Sequence, residues 1–178
     1  MKIYLASRYD RRPELQLYRE FLLSEGHTVT SRWIDGNHHI NDTLWPEETK
    51  VAAFQKFADE DCEDLSASDM VLSFTDPPGP STSLGGRHVE FGLALKTKRC
   101  VVIGPRENVF HYLPEVEWYP DFSSFCISFL NKNILTKYIC DCGFEFSIHT
   151  DNENENATNA HKICVCGKKM REKKEVTK

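Results

Sequence analysis

The sequence predicts an open α/β fold built on a mostly parallel sheet, and three observations carry that expectation. Apolar runs as short as central strands recur at residues 2–6, 70–74 and 99–104. Helical periodicity lies between them, as in Leu15, Tyr18, Phe21 and Leu22. The stretch Ser81-Thr82-Ser83-Leu84-Gly85-Gly86 then opens a small-residue amphipathic helix that runs through Gly92 and Ala94. A strand, a Gly-rich loop, a helix and a second strand make a right-handed crossover unit, whose loop lies at the carboxyl edge of a parallel sheet.

Each element has its own signal. Residues 2–6 enter a strand directly and end at the polar loop Ser7-Arg8-Tyr9-Asp10-Arg11-Arg12. Pro13 suits the first turn of a helix and Gly26 stops it. Residues 28–33, β-branched and alternating, read as a second strand. Residues 35–44 form a polar loop between Trp33 and Trp45, in the position of a lid, with His38 and His39 as plain loop histidines. Pro46, Glu47 and Glu48 start a helix with acids where the macrodipole favours them. Val51, Phe54, Ala58 and Leu65 are its expected buried stripe. Residues 76–80 are a stiff Pro-rich loop, and residues 110–118 an aromatic-rich connection. Asp121 is placed to cap a last helix at 122–130. Residues 1–131 therefore read as a flavodoxin-like (Rossmann-like) open parallel sheet with helices on both faces. Residues 136–170 are a separate small module, and residues 171–178 a charged tail expected to fray.

Composition sets outer bounds. The 178 residues carry a net charge of −5, with 40% apolar and 11% aromatic content. That suffices for one cored domain plus an appendage. It does not favour a nucleic-acid binder, which would show a basic excess. No apolar run is long enough for a membrane span, and the N-terminus is too short for a signal peptide, so the expectation is a cytoplasmic protein. Of seven cysteines, Cys62, Cys100 and Cys126 sit singly in apolar patterns and read as buried hydrophobes. Cys140-Asp141-Cys142-Gly143 and Cys164-Val165-Cys166-Gly167 repeat one local pattern. Four thiolates in two such turns suit a closed, structural zinc in a ribbon-like module, although C-x-C is rarer than C-x-x-C. The module's lysines permit nucleic-acid contact; its acids argue against a strong one.

One acid stands out. Glu90 lies about a turn and a half past the glycine pair, where helix N-terminal amides favour anions and the glycines let backbone approach a ligand. Its bland reading is a solvated residue that complements the helix dipole. Asp69 begins the neighbouring strand and is a candidate second carboxylate, against a cap or turn role. Ser7, Arg8, Arg11 and Arg12 follow the first strand, and with the hydroxyls of Ser81, Thr82 and Ser83 and the amides of Gly85 and Gly86 they offer donors suited to phosphate. At least one of Arg11 and Arg12 is equally a solvated helix start. Arg87 and His88, just before the acid, are further substrate-binding candidates. Trp33 and Tyr9 are candidates for stacking on a base, Trp33 equally a core residue. Asn108 follows the last main strand.

These residues resemble a family, the nucleoside 2-deoxyribosyltransferases and the related 2′-deoxynucleoside 5′-phosphate N-hydrolases. The resemblance rests on Ile3-Tyr4-Leu5-Ala6-Ser7, on Ser68-Asp69-Met70-Val71-Leu72 and on Gly85-Gly86-Arg87-His88-Val89-Glu90-Phe91-Gly92-Leu93-Ala94, over roughly residues 1 to 130. It implies a nucleophile at Glu90 and, at Asp69, an acid that helps the leaving base or positions the nucleophile. It also implies a homodimer in which the neighbouring subunit completes the site near Asn108. The family's polar residue six places before the glutamate is replaced by Leu84, with Ser83 one step back. The expected activity is cleavage of an N-glycosidic bond in a (deoxy)nucleotide or nucleoside, with no catalytic cofactor. Hydrolysis is preferred to transfer between bases because of the phosphate-binding groups. The alternatives are a deoxyribosyltransferase and a non-catalytic nucleotide-sensing or nucleic-acid-associated module.

Overall fold

The computed structural model describes residues 1–36, 38, 45–77 and 85–130, together with the backbone of three later strands. The order is β1 (Lys2–Ala6), α1 (Arg12–Ser24), β2 (Thr28–Val29), α2 (Glu47–Ala67), β3 (Met70–Phe74), α3 (Gly86–Ala94), β4 (Arg99–Ile103), β5 (Val116–Tyr119) and α4 (Phe122–Leu130). The five strands form one parallel sheet in the order β2-β1-β3-β4-β5. This is the flavodoxin-like order, and its switch point, where ligands bind in such sheets, lies between β1 and β3.

β1 and β3 are the central strands, and both are buried along their length because helices cover each face. On one face Phe74 packs with Tyr18 of α1 and Phe122 of α4, at ring distances of 5.3 and 6.0 Å. On the other, α2 and α3 pack on each other and on β1. Side chains alternate along a strand, so Tyr4 faces this second layer while Ile3 and Leu5 face the first.

The second strand is shorter than residues 28–33 suggested. After Val29 the chain leaves the sheet and winds a 3-10 turn at Arg32–Ile34. Side chains replace the missing ladder: Ser31 Oγ accepts from Leu5 N at 2.6 Å, and Trp33 Nε1 donates to Leu5 O at 2.9 Å. Asp64 of α2 pins the turn by accepting from Arg32 N at 2.7 Å and from Arg32 Nε at 2.8 Å. The aromatic connection also hides a strand, because residues 116–119 pair with β4 as an edge. Asp121 caps α4 as its position suggested, accepting from Ser124 N at 2.7 Å.

The expected stripe of α2 is only partly used. Leu65 is buried, but Val51 and Phe54 are about half exposed at 49% and 47%, because none of the described chain covers the first half of the helix. Cys100 and Cys126 are buried as expected, whereas Cys62 is exposed.

Beyond α4, β6 (Ile134–Ile139), β7 (Glu145–His149) and β8 (Arg171–Val176) form an antiparallel sheet in the order β7-β6-β8. Residues 171–176, expected to fray, are thus an edge strand, and their charged sequence suits an edge. Cys140, Cys142, Cys164 and Cys166 lie outside the described residues. No described helix is long and apolar enough to cross a membrane.

Candidate active site

Glu90 sits on α3, whose first turn is set by Gly85 in a left-handed conformation at φ 88°. A side chain would be strained there, so glycine lets the chain turn sharply from the loop into the helix. Arg87, one turn earlier, is buried, with its side chain 6% exposed. The Glu90 carboxyl points inward, and its Oε2 is sealed from solvent without a well-aligned partner among the described residues.

The second carboxyl comes from α2. Asp61, half-buried, faces the same interior as Glu90, and its charge raises the Glu90 pKa. Burial is the larger cause for both: it pushes Glu90 up to about 8 and Asp61 up to about 6. Nearby groups partly counter it, with Tyr4 and Arg87 acting on Glu90 and His38 and Tyr4 on Asp61. Tyr4 stands on β1 next to both acids, and burial beside them raises its own hydroxyl well above the ordinary range. In the resting geometry Tyr4 Oη, Asp61 Oδ1 and Glu90 Oε2 are all buried, with no well-aligned partner among the described residues and Tyr4 close to both acids. Two acids brought together against one buried hydroxyl mark a place built for something other than stability.

A charged rim lies at the carboxyl ends of β1, β3 and β4. Asp76 takes Arg8 at 2.8 Å, Arg87 at 3.2 Å and Arg11 at 3.6 Å. Glu107 takes Arg87 at 2.6 Å and also accepts from Asp76 N at 3.1 Å. Arg11 donates to Thr75 O at 2.9 Å as well. Three guanidiniums therefore converge, held in place by acids. Ser7 Oγ, at the same strand end, is buried without a hydrogen-bond partner among the described residues.

Several expected site residues stand elsewhere. Asp69 is at the amino end of β3, where its carboxylate accepts from Lys2 N at 2.8 Å. The start of a parallel strand is on the sheet edge opposite the crevice, so Asp69 ties β3 to β1 and does not face Glu90. Arg12 reaches Gly36 O at 2.8 Å and stacks over Tyr9, 4.8 Å from its ring centre. It thus fastens the segment after the 3-10 turn and contributes nothing to the rim. Trp33 is buried at 6% exposure with its indole N–H engaged, so it is a core residue and no free stacking platform. Tyr9, half-buried, lies 6.5 Å from Trp33. Asn108 caps the 3-10 turn Val109–Tyr112, accepting from Phe110 N at 3.0 Å. With His88, Glu107, Phe91, Leu95 and Phe110 it lines a cavity of about 650 Å³ that Glu90 does not reach. Ser83 lies outside the described residues.

Sequence reading missed Asp61, Tyr4, Asp76 and Glu107. Asp61 had a usable signal: it falls three and seven residues after Ala58 and Phe54 and four before Leu65, on the apolar stripe of its own helix.

No family model and no curated protein sequence matches the chain. Among solved structures it is similar to a 2-deoxyribosyltransferase from Bacillus psychrosaccharolyticus, at 19% identity over 61% of this chain and 76% of that one, with a TM-score of 0.42. It is also similar to a CMP N-glycosidase from Clostridium botulinum, at 16% identity over 74% of this chain and 98% of that one, with a TM-score of 0.41.

The raised Glu90 carboxyl has a consequence for stability. Its folded value, about 8, exceeds its ordinary 4.5, so between those pH values the native state keeps a proton that the unfolded chain releases. Stability then falls as pH rises through that window. Glu90→Gln removes the ionisation, and its melting temperature at pH 7.5 is expected to exceed that of the parent by about 3 °C or more. At pH 4 the two should coincide. Scanning calorimetry at both pH values checks this, and equal melting temperatures at pH 7.5 would show that Glu90 ionises without strain.

Proposed function

We propose that the chain cleaves the N-glycosidic bond of a nucleotide, with Glu90 as the nucleophile and Asp61 as the acid that protonates the departing base. The observation that carries this reading is the pair of carboxyls on α2 and α3, both pushed up by burial and meeting at Tyr4, with the Asp61 charge raising Glu90, beside an arginine rim. The sequence resemblance around Glu90 supports it too.

The chemistry follows from charge and proton count. As the bond to the base breaks, positive charge develops at the sugar carbon, and an adjacent carboxylate stabilises it. A Glu90 oxygen bonds to that carbon while the bond's electron pair leaves with the base, which takes its proton from Asp61. A water then attacks the same carbon, giving a proton back to Asp61 as the Glu90 ester bond breaks. Base and sugar hydroxyl are released, and both carboxyls return to their starting state.

The step needs one proton on the pair. Between about pH 6 and about pH 8 the two carboxyls hold one, mainly on Glu90 in the empty site. The cationic sugar carbon draws the negative charge onto Glu90 and so moves the proton to Asp61, with Tyr4 next to both. The rim of Arg8, Arg11 and Arg87 favours a 5′-phosphate over a bare nucleoside, and hence hydrolysis of a nucleotide. Its acids keep the guanidiniums ordered until an anion replaces part of their contact.

The test is chromatographic. Nucleosides and 5′-monophosphates, with and without an acceptor base, are incubated with the parent and with Glu90→Gln. Free base is expected from a monophosphate, at least 10³-fold slower in the variant, with kcat/KM bell-shaped between about pH 6 and pH 8. Binding without base release from any member would leave a nucleotide sensor as the function.

The same reading includes a homodimer. Val51, Phe54, Val89, Leu93, Phe110 and Tyr112 are exposed, and those on α2 and α3 share one layer. A second copy is the occupant with matching chemistry, since an isologous contact pairs a patch with itself. Light scattering should give twice the chain mass, and Leu93→Glu should return the monomer. A parent that runs as a monomer would remove this part.

The cysteine module completes the reading with a structural zinc. Cys140 directly follows β6, whose last residue Ile139 pairs with both Glu145 and Arg171. Four thiolates would hold the ion, supplying cohesion that so small a module lacks. Elemental analysis should find about one zinc per chain, lost in a Cys142→Ser, Cys164→Ser double variant, with base release retained.

A further inference from the structure

The turn that follows β4 carries an arginine of a different kind from those of the rim. Arg106 is exposed, and its guanidinium lies over two rings, 4.7 Å from the centre of Tyr112 and 5.2 Å from that of Trp118. Both rings are themselves exposed, so they add little to the core. Each is fixed by its backbone surroundings. Trp118 Nε1 donates to Gly104 O at 2.7 Å, and Tyr112 ends the 3-10 turn that Asn108 caps. Stacking on an aromatic face attracts a guanidinium and restricts it, while the N–H groups along its edge stay available. Among the described residues no acid and no carbonyl engages them.

The rim arginines are all matched by acids. Arg8 pairs with Asp76 at 2.8 Å, Arg11 with Glu14 at 2.7 Å and Arg87 with Glu107 at 2.6 Å. Three guanidiniums therefore meet three carboxylates, and their charges cancel. Arg12 is engaged by Gly36 O and the Tyr9 hydroxyl. Arg106 directly precedes Glu107, at the same carboxyl end of β4. It also stands on the Glu90 side of the sheet. Tyr119 packs on Phe125 of α4 at a ring distance of 5.5 Å, so Trp118, one residue earlier, faces the layer of α2 and α3. We propose that Arg106, held on Tyr112 and Trp118, is a second anion subsite, which takes a phosphate group beyond the one that meets the rim. The favoured substrate class is then a nucleoside 5′-diphosphate or longer. A neutral rim orients the first phosphate by hydrogen bonds, whereas the uncompensated charge lies with Arg106, where a further phosphate gains most.

The substrate class rests on the glycosidase reading, whereas the subsite is tested without turnover. Inorganic phosphate, pyrophosphate and malonate are titrated into the full-length protein by isothermal calorimetry. Pyrophosphate is expected to bind about tenfold more tightly than phosphate, the gain of one charged hydrogen bond, and malonate no better than phosphate. Arg106→Gln should erase the difference between pyrophosphate and phosphate. Equal affinities in the parent overturn the proposal, as does an Arg106→Gln protein that still prefers pyrophosphate. Malonate that binds as tightly as pyrophosphate overturns it too, because the subsite would then read carboxylates. Should Arg106→Gln fail to fold, Tyr112→Ser strips one ring and keeps the charge, and an unchanged preference in that variant overturns the proposal. In turnover, the ratio of kcat/KM for a diphosphate to that for its monophosphate should fall about tenfold in Arg106→Gln, through KM. Base release with no preference between the two overturns this inference and leaves the glycosidase reading standing. Pyrophosphate binding that depends on Arg106, without base release from any nucleotide, does the reverse.

Discussion

Two carboxyls buried against one tyrosine hydroxyl cannot both ionise at little cost, and much of the architecture answers that constraint. The sheet order makes β1 a central strand, so Tyr4 arrives from below with no exposure. Helix α2 runs back across the sheet between β2 and β3 and brings Asp61 over it. Helix α3 begins at a left-handed glycine, which sets Glu90 within the range of the same hydroxyl. Had either helix been rotated by one residue, its acid would have reached water and become an ordinary surface charge. A site that destabilises its own empty state in this way illustrates the usual tension between stability and activity.

The positive counterpart is kept at a measured distance. Among the described residues Arg87 is the guanidinium whose charge acts on Glu90, and it is anchored on Asp76 and Glu107 at the rim. Arg8 and Arg11 share Asp76 with it. One aspartate thus gathers cations from the loop after β1, from the start of α1 and from α3. The electrostatics of the rim and of the carboxyl pair are joined through a single buried side chain, Arg87, so an anion that engages the rim is felt at Glu90.

Much of this could be read from the residues alone, and the failures have physical causes. Short apolar runs in β1, β3 and β4 announce a parallel sheet because strands covered on both faces need no alternation. Gly85 and Glu90 are likewise visible, since a glycine turn before an amphipathic helix has few other uses. Asp69 misled because an acid at the start of a strand looks close to the site in sequence, although in a parallel sheet it lies a full strand length away from the crevice. Asp61 was hidden in the run Asp59-Glu60-Asp61, which reads as a solvated face until its place on the apolar stripe is counted. Trp33 and Arg12 looked like ligand groups because aromatic and basic side chains near a strand end suit ligands. Both instead meet backbone groups exposed by a turn that no local pattern foretold.

That turn has a wider consequence. Where β2 stops at Val29, the outer edge of β1 at Leu5 would offer a free amide and carbonyl to any extended chain. Ser31 and Trp33 occupy both. A foreign strand finds no template beside the most buried segment of the molecule, and sheet-to-sheet growth, the route by which exposed edges seed fibres, is blocked there. Two side chains therefore guard the protein's solubility at the spot where its ladder is interrupted.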